Sequence, residues 1–170
     1  GSSDKKKNIL ENLKIVEKKI KSQSKKIILL KQSHSNRFYY VDKNSILNHN
    51  KFDGDALITN KKKLPIAILT ADCAPVLMFD KKNKMVAAIH AGWRGAYKDI
   101  IKKVVRFMVK KGCSPKNITA AIGPCISHKK YEIKQDFIKR FIKKDNKNKI
   151  FFKRIGNKNF FSLNKYIHSQ

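Results

Sequence analysis

Apolar residues recur along this chain with two periods, one typical of helices and one typical of strands. A spacing of three or four residues predicts amphipathic helices at residues 4–21, 100–111 and 131–144. Short apolar runs predict strands at residues 26–31, 38–42, 55–59, 64–80, 85–89, 118–122 and 150–155. Hairpins mixed with flanking helices indicate an α+β domain.

Each predicted helix has an apolar face, and the first two also have an end signal. Ser3 or Asp4 suits the N-cap of the first helix. Gly112 suits the position just after the second. The first helix is expected to form its stripe from Ile9, Leu13, Val16 and Ile20, and the third to face inward with Ile133, Phe137, Ile138, Phe141 and Ile142.

The most apolar stretch, residues 64–80, contains Pro75. A central strand does not readily accommodate proline, so we expect two strands that meet at a bend at 72–75. The polar turn at 81–84 then makes residues 76–79 and 85–89 a hairpin. His90 follows this hairpin, His34 lies in the turn between two earlier strands, and the polar residues 46–54 are expected to form a loop.

The segment 92–95 is predicted to be a turn from a strand into a helix. Backbone N–H groups and the positive end of a helix suit an anion such as phosphate. Arg94 could contact that anion with two N–H groups, or form a salt bridge with Asp72 or Asp99. Trp93 could stack on a purine or belong to the core.

Length and charge narrow the class of protein. At 170 residues with 41% hydrophobic content, a single domain over 1–170 is expected, and neither a membrane-spanning run nor a secretory signal is visible. The net charge of +28 raises a basic nucleic-acid-binding module as one alternative. The lysines are spread over every segment, which favours a solvated surface. Three cysteines give no paired framework and indicate a reducing cytoplasm.

Three residues at predicted strand ends form a candidate set of metal ligands: His34, Cys73 and His90. Two imidazoles and one thiolate leave a fourth zinc position open, as catalytic sites require. Their spacings, 39 and 17 residues, are too long for a zinc finger. By themselves these residues are more typical of a buried cysteine and surface histidines than of a metal site.

Four stretches carry a resemblance to a known family: Gln32-Ser33-His34, Thr70-Ala71-Asp72-Cys73, His90-Ala91-Gly92-Trp93-Arg94-Gly95 and Gly123-Pro124-Cys125-Ile126. In this order they resemble the motifs of the laccase-domain family of bacterial enzymes. Its members are called multicopper polyphenol oxidase, purine nucleoside phosphorylase or peptidoglycan editing factor. The resemblance implies a layered α/β/β/α sandwich with mostly antiparallel or mixed sheets. It also implies an internal part of such a protein, without the family's N-terminal and C-terminal segments.

The function that the resemblance implies is metal-dependent phosphorolysis of adenosine or inosine, with adenosine deaminase as a further activity. Zinc is expected rather than copper, because five histidines are too few for a multicopper site. The partners are then a purine nucleoside and phosphate, with no nucleic acid or membrane expected. The implied residues are His34, Cys73 and His90 for the metal, Cys73, His90 and Asp72 for catalysis, and Arg94, Trp93 and Gln32 for substrate.

A metal-free mechanism uses the same residues. Cys73 would be the nucleophile, His90 its base, and Asp72 or another acceptor would orient the histidine. Such an enzyme would be a hydrolase acting on cell-wall precursors, and the motifs do not separate it from the metal enzyme. The zinc deaminase signature is absent, since His90 precedes Ala91-Gly92 and no cysteine follows Cys125 at position 128. The Cys-x-x-His spacing of residues 125–128 has no further ligands close in sequence, so this segment is interpreted as structural.

Overall fold

The computed structural model describes residues 4–20, 27–42 and 52–170 of the chain. The regular elements within these residues are five helices and eight strands, with short 3₁₀ turns at Pro115–Asn117 and Asn146–Phe151. In chain order they are α1 (Lys6–Lys19), β1 (Phe38–Val41), β2 (Ala56–Thr59), β3 (Ala74–Asp80), β4 (Met85–Ala91), α2 (Trp93–Tyr97), α3 (Ile100–Lys110), β5 (Ile118–Ile122), β6 (Glu132–Ile133), α4 (Gln135–Lys144), β7 (Phe152–Ile155), β8 (Lys158–Phe161) and α5 (Leu163–His168).

The strands form two sheets. The larger has the order β1-β2-β4-β3-β5, in which only the β1–β2 pair is parallel. The smaller is antiparallel with the order β6-β8-β7. The α+β class with mixed and antiparallel sheets is confirmed. Strand β4 lies at the centre of the larger sheet, and His90 lies on it.

Both faces of the larger sheet carry apolar packing. Ala56 and Ile58 of β2 belong to the main core, which also includes residues of α2, α3, α4 and α5. Leu57 faces the other way and packs with Leu30 and Val41 in a smaller cluster. This alternation is the two-residue period of a pleated strand. Because strand β2 is fully buried, Asp55, the residue directly before it, is also held inside the protein.

The predicted strand over the first half of 64–80 is wrong, and so is the regular strand at 26–31. Within the described residues, the two segments meet at the isolated parallel bridge Ile28–Ile66, and Lys31 forms a second isolated bridge with Asp53. The Ile28 N–H donates to Pro65 O, and the Ala67 N–H donates to Ile28 O. The apolar composition of these segments reflects their partial burial, and it does not specify a hydrogen-bonded ladder between strands.

Proline is accommodated inside β3 instead of ending it. The Gly123 N–H donates to Pro75 O at 2.8 Å, just past the last β5 residue. The missing proline N–H therefore falls where the β3–β5 ladder stops. A Cβ on Gly123 would lie 2.7 Å from Pro75 Cγ, so only glycine fits opposite the ring.

The first helix is confirmed, but its predicted packing is not. Its N-cap is Lys5 and Asp4 Oδ1 accepts from the Lys5 N–H, whereas Ser3 lies outside the described residues. None of its residues is buried, and Ile9, Val16 and Ile20 are exposed. Leu13 is half-buried, and the stripe belongs to neither of the two core clusters.

Other boundaries shifted for local reasons. Helix α4 begins at Gln135 because residues 132–133 pair with β8. Strand β7 begins at Phe152 because a 3₁₀ turn takes the residues before it. Strand β8 and helix α5 were not predicted. Most of the predicted loop 46–54 lies outside the described residues.

Candidate metal centre

The structure brings the three predicted ligands together. One nitrogen of His34, the Cys73 sulfur and one nitrogen of His90 all lie within 4.8 Å of one another. The β3–β4 register, with Pro75 opposite His90, places Cys73 at the same edge of the sheet as His90. Ligands of a tetrahedral zinc ion lie about 3.5 Å apart. A small inward movement of the side chains would therefore close the set around one ion.

A buried carboxylate orients His90. Asp55 is fully buried, directly before β2, and its Oδ1 lies 2.8 Å from His90 Nδ1. The Asp55 carbonyl also accepts from the His90 N–H at 2.7 Å. With Nδ1–H donating to the carboxylate, Nε2 carries the lone pair and is the nitrogen available to a metal.

The same carboxylate holds the turn that carries His34. Oδ1 accepts from the His34 N–H at 3.0 Å, while Oδ2 accepts from the Ser35 N–H and Oγ–H, both at 2.6 Å. His34 has a φ of 57°, in the left-handed region that non-glycine residues rarely adopt. Asp55 thus positions both imidazoles, one through its side chain and one through the backbone.

These contacts shift the pKa of both partners. Burial alone would raise the pKa of Asp55, yet hydrogen bonds from His90, Ser35 and His34 lower it to about 2. Burial alone would lower the pKa of His90, yet the interactions with Asp55 and Cys73 raise it to about 9. Metal binding must displace the second proton of His90, so it becomes easier as pH rises.

Both glycines of the segment 90–95 are required by close approach. A Cβ on Gly92 would lie 2.7 Å from Cys73 Sγ and 3.0 Å from His34 Cδ2. A Cβ on Gly95 would lie 2.8 Å from Ser35 O. Any larger residue at these positions would push the ligands apart, which explains the motif in physical terms.

Asp72 does not orient either imidazole. No hydrogen bond joins its carboxylate to His34 or His90, although all three residues are described. Its backbone carbonyl accepts from the Ile126 N–H at 2.9 Å, and its side chain is exposed. The orienting role that was expected of Asp72 belongs to Asp55. No motif surrounds Asp55, and its only sequence signal is an acid immediately before a continuous apolar run.

Gln32 is engaged with the backbone. Its amide nitrogen donates to Leu69 O and its amide oxygen accepts from the Leu69 N–H, both at 2.7 Å. This pair ties the segment that carries His34 to the segment that leads to Cys73. The predicted substrate contact of Gln32 stays a prediction.

The turn at 92–95 does not lead directly into the long helix. Trp93 starts the five-residue helix α2, and Asp99, with a φ of 61°, separates it from α3. Arg94 is exposed. Its predicted salt bridge is wrong, because no ion pair joins Arg94 to Asp72 or Asp99, and the structure describes all three residues. Asp99 pairs with Lys102 and Lys144 instead.

A cavity of about 490 Å³ is lined by Trp93, which follows Gly92, and by none of the three ligands themselves. Trp93 and Phe137 form part of its wall, together with Tyr131 and the charged residues Glu132, Lys134 and Asp136. Burial, with smaller contributions from the charges of Cys73 and Asp72, raises the pKa of Tyr131 to about 12. Tyr131 therefore lies near Cys73. A cavity of this volume accommodates a nucleoside.

Other candidate residues do not belong to the ligand set. Cys125 is half-buried, and burial followed by the charge of Cys73 raises its pKa. His128 and His168 are exposed, and His49 lies outside the described residues. Among the described residues, His34, Cys73 and His90 form the single group of at least three possible ligands. A larger cavity of about 550 Å³, between α3, β5 and α5, contains none of the three.

Comparison with known proteins adds a family context. The whole chain, residues 1–170, matches the family described as multi-copper polyphenol oxidoreductase laccase. It is 40% identical over 144 residues to a purine nucleoside phosphorylase of Rickettsia conorii, covering 85% of this chain and 57% of the relative. It is 34% identical over 110 residues to a purine nucleoside phosphorylase of Mycobacterium tuberculosis H37Rv, covering 64% of this chain and 42% of the relative. The matched part of the chain thus spans 57% of the length of the first relative and 42% of the second.

Two crystal structures share the fold. A Neisseria meningitidis protein superposes with a TM-score of 0.84 at 27% identity, covering 98% of this chain and 66% of that one. The hypothetical protein YfiH of Bacillus licheniformis superposes with a TM-score of 0.86 at 24% identity, with the same coverage. No helix among the described residues is long and apolar enough to cross a bilayer.

Proposed function

Because the chain belongs to the multi-copper polyphenol oxidoreductase laccase family, we propose that it acts on purine nucleosides at the centre formed by His34, Cys73 and His90. The reaction is phosphorolysis of adenosine or inosine, which gives the free base and ribose 1-phosphate. The observation that carries the proposal is the convergence of these ligand atoms within 4.8 Å, with His90 locked by Asp55. The relatives named purine nucleoside phosphorylase supply the reaction class.

The donor set suits a single zinc ion. Two imidazoles and one thiolate are ligands that Zn²⁺ prefers, and three protein ligands leave one position open. Within the described residues, two histidines meet at this site. A multicopper centre needs more histidine ligands, so this count argues against one. When bound, the ion supplies a positive charge that polarises a substrate oxygen or activates water.

The chain's own residues have separate tasks in this proposal. Asp55 keeps the His90 Nε2 lone pair directed at the centre. The cavity beside Trp93 and Tyr131 holds the nucleoside, and Asp72, exposed at the same edge, accepts hydrogen bonds from ribose hydroxyls. Arg94 offsets the charge of phosphate as its oxygen forms a bond to C1′ and the purine nitrogen departs. The catalytic residues are thus Cys73, His90 and Asp72: the first two would hold the ion, and Asp72 would contact the ribose.

The test is product analysis with the full-length protein. Inosine or adenosine is incubated with phosphate, and hypoxanthine, adenine and ribose 1-phosphate are separated by chromatography. Phosphate-dependent release of base, lost in Cys73→Ser and His90→Ala, supports phosphorolysis. Release of inosine from adenosine would add the deaminase activity. Absence of any base release from a folded, metal-loaded protein contradicts the proposal.

A second candidate is a cysteine hydrolase without metal. His90 interacts with both Cys73 and Asp55, which is the nucleophile, base and orienting acid of such enzymes. Asp55 would take the role that the sequence suggested for Asp72. Cleavage of cell-wall precursors that needs Cys73 and survives complete chelation would favour this candidate. The free thiols of Cys73, Cys113 and Cys125 fit a cytoplasmic location for either enzyme.

A further inference from the structure

Two guanidinium groups rest on one indole at the edge of the candidate site. The Arg94 Cζ lies 5.4 Å from the centroid of the Trp93 ring, and the Arg140 Cζ lies 5.7 Å from it. Arg94 is on α2 and Arg140 is on α4, so the two cations come from different elements. The ring of Phe137 meets the same indole edge-on, with centroids 4.9 Å apart.

Neither guanidinium has a carboxylate partner within the described residues. The salt bridges found there leave out both Arg94 and Arg140. Both side chains are exposed. Each cation–π contact attracts a guanidinium group to the ring but leaves its positive charge uncompensated. An anion that contacts both groups would supply the missing negative charge.

The place of these arginines ties them to the chemistry. Trp93 follows Gly92, where a Cβ would lie 2.7 Å from Cys73 Sγ and 3.0 Å from His34 Cδ2. Trp93 also lines the 490 Å³ cavity that includes Tyr131. Both guanidinium groups thus lie close to the ring of Trp93, a residue that lines this cavity and follows Gly92, although neither arginine lines the cavity itself. Helix α2, with five residues, is too short to supply the positive end that the sequence suggested.

We propose that Arg94 and Arg140 form a two-arginine clamp for a phosphoryl group, inorganic phosphate or the phosphate of ribose 1-phosphate, with Trp93 as its platform. The inference rests on the proposed function and names Arg140 as its second anion ligand. Planar guanidinium groups bind phosphate through paired N–H groups and stack on aromatic faces, so a single indole can orient both. No motif marks Arg140, which reads in the sequence as one more cation on a solvated helix.

The chain contains a single tryptophan, which gives the clamp its own reporter. Inorganic phosphate is titrated into the purified protein at constant ionic strength, and Trp93 fluorescence is followed. The expected result is a saturable change in wild type, with affinity weakened roughly ten- to hundredfold in Arg94→Ala and in Arg140→Ala. Arg140→Lys recovers part of this loss. Arg106→Ala, which removes an exposed arginine on α3, serves as the matched control and leaves the titration unchanged.

The outcomes separate the clamp from the proposed reaction. Absence of saturation, or equal weakening in Arg106→Ala, overturns the clamp and assigns phosphate binding to general surface charge. Phosphorolysis with an unchanged KM for phosphate in Arg140→Ala also overturns the clamp, while the reaction stands. Saturable binding that needs both arginines, in a protein that releases no base, supports the clamp and rejects the reaction.

Discussion

Replacing Asp55 by asparagine tests whether one carboxylate organises both histidines. The side chain keeps its size but has one acceptor oxygen in place of two. Asp55 accepts four hydrogen bonds, two on Oδ1 from His34 and His90 and two on Oδ2 from Ser35. If the amide oxygen takes the Oδ1 position, the amide NH₂ opposes the Ser35 N–H. If the groups are reversed, the NH₂ forces His90 into the tautomer with its lone pair on Nδ1.

The expected loss follows from either arrangement. Partners that orient a metal-binding histidine typically contribute ten- to a hundredfold in metal affinity, which corresponds to about 1.4–2.8 kcal/mol. Removing the buried acceptor altogether in Asp55→Ala leaves its donors unpaired and should cost about 3–5 kcal/mol of unfolding free energy. Asp55→Asn should therefore lower the affinity for zinc while the protein still folds.

The assay is competition for zinc with a chromophoric chelator, with circular dichroism to confirm folding. Asp53→Asn is the matched control, because this nearby carboxylate is 45% exposed and makes only long ion pairs with Lys31 and Arg37. Such pairs contribute about 0–1 kcal/mol, and zinc affinity should stay at the wild-type value. Wild-type zinc affinity in folded Asp55→Asn, or a larger loss in Asp72→Asn, would refute the reasoning.

Three further predictions follow from the site and the core. In the metal-free protein, the Asp55–His90 pair should stabilise the fold fully between pH of about 4 and 6.5. The contribution of Asp55 is lost as pH falls from 3.8 towards its folded pKa of about 2. The contribution of His90 is lost as pH rises from 6.5 through its folded pKa of about 9. Denaturation curves across pH should show this plateau, and Asp55→Asn should flatten it. Gly92→Ala places a methyl group 2.7 Å from Cys73 Sγ, so zinc affinity should fall roughly tenfold or more in the chelator assay; an unchanged affinity would mean that the ligands are not held this closely. Phe141→Ala should cost about 3–5 kcal/mol in urea denaturation, because this fully buried ring joins the aromatic cluster between α4 and the smaller sheet; a cost below about 1 kcal/mol would contradict that packing.

The triad could be predicted because each of its members lies within a short local pattern. Consecutive residues around Cys73 and His90 carry the resemblance, and the hairpin of β3 and β4 sets their register. Strand β5 and the end of α3 near Gly112 were predicted for the same reason, since turn residues and apolar periods are local properties.

Asp55 was missed because its role depends on distant partners. It lies 20 residues from Ser35 and 35 residues from His90 along the chain, and a single acid before an apolar run has many structural explanations. Arg140 escaped notice similarly, as one cation among many on α4. The segment 64–71 misled for another reason, because apolar composition indicates burial and does not fix which backbone groups pair.

The most direct test of the central claim is the metal content of the purified protein. Elemental analysis of wild type should find about one zinc per chain, the occupancy expected of a single three-ligand site. His34→Ala, Cys73→Ser and His90→Ala should each lose most of it while circular dichroism shows an intact fold. Unchanged metal content in all three folded variants would contradict the centre described here.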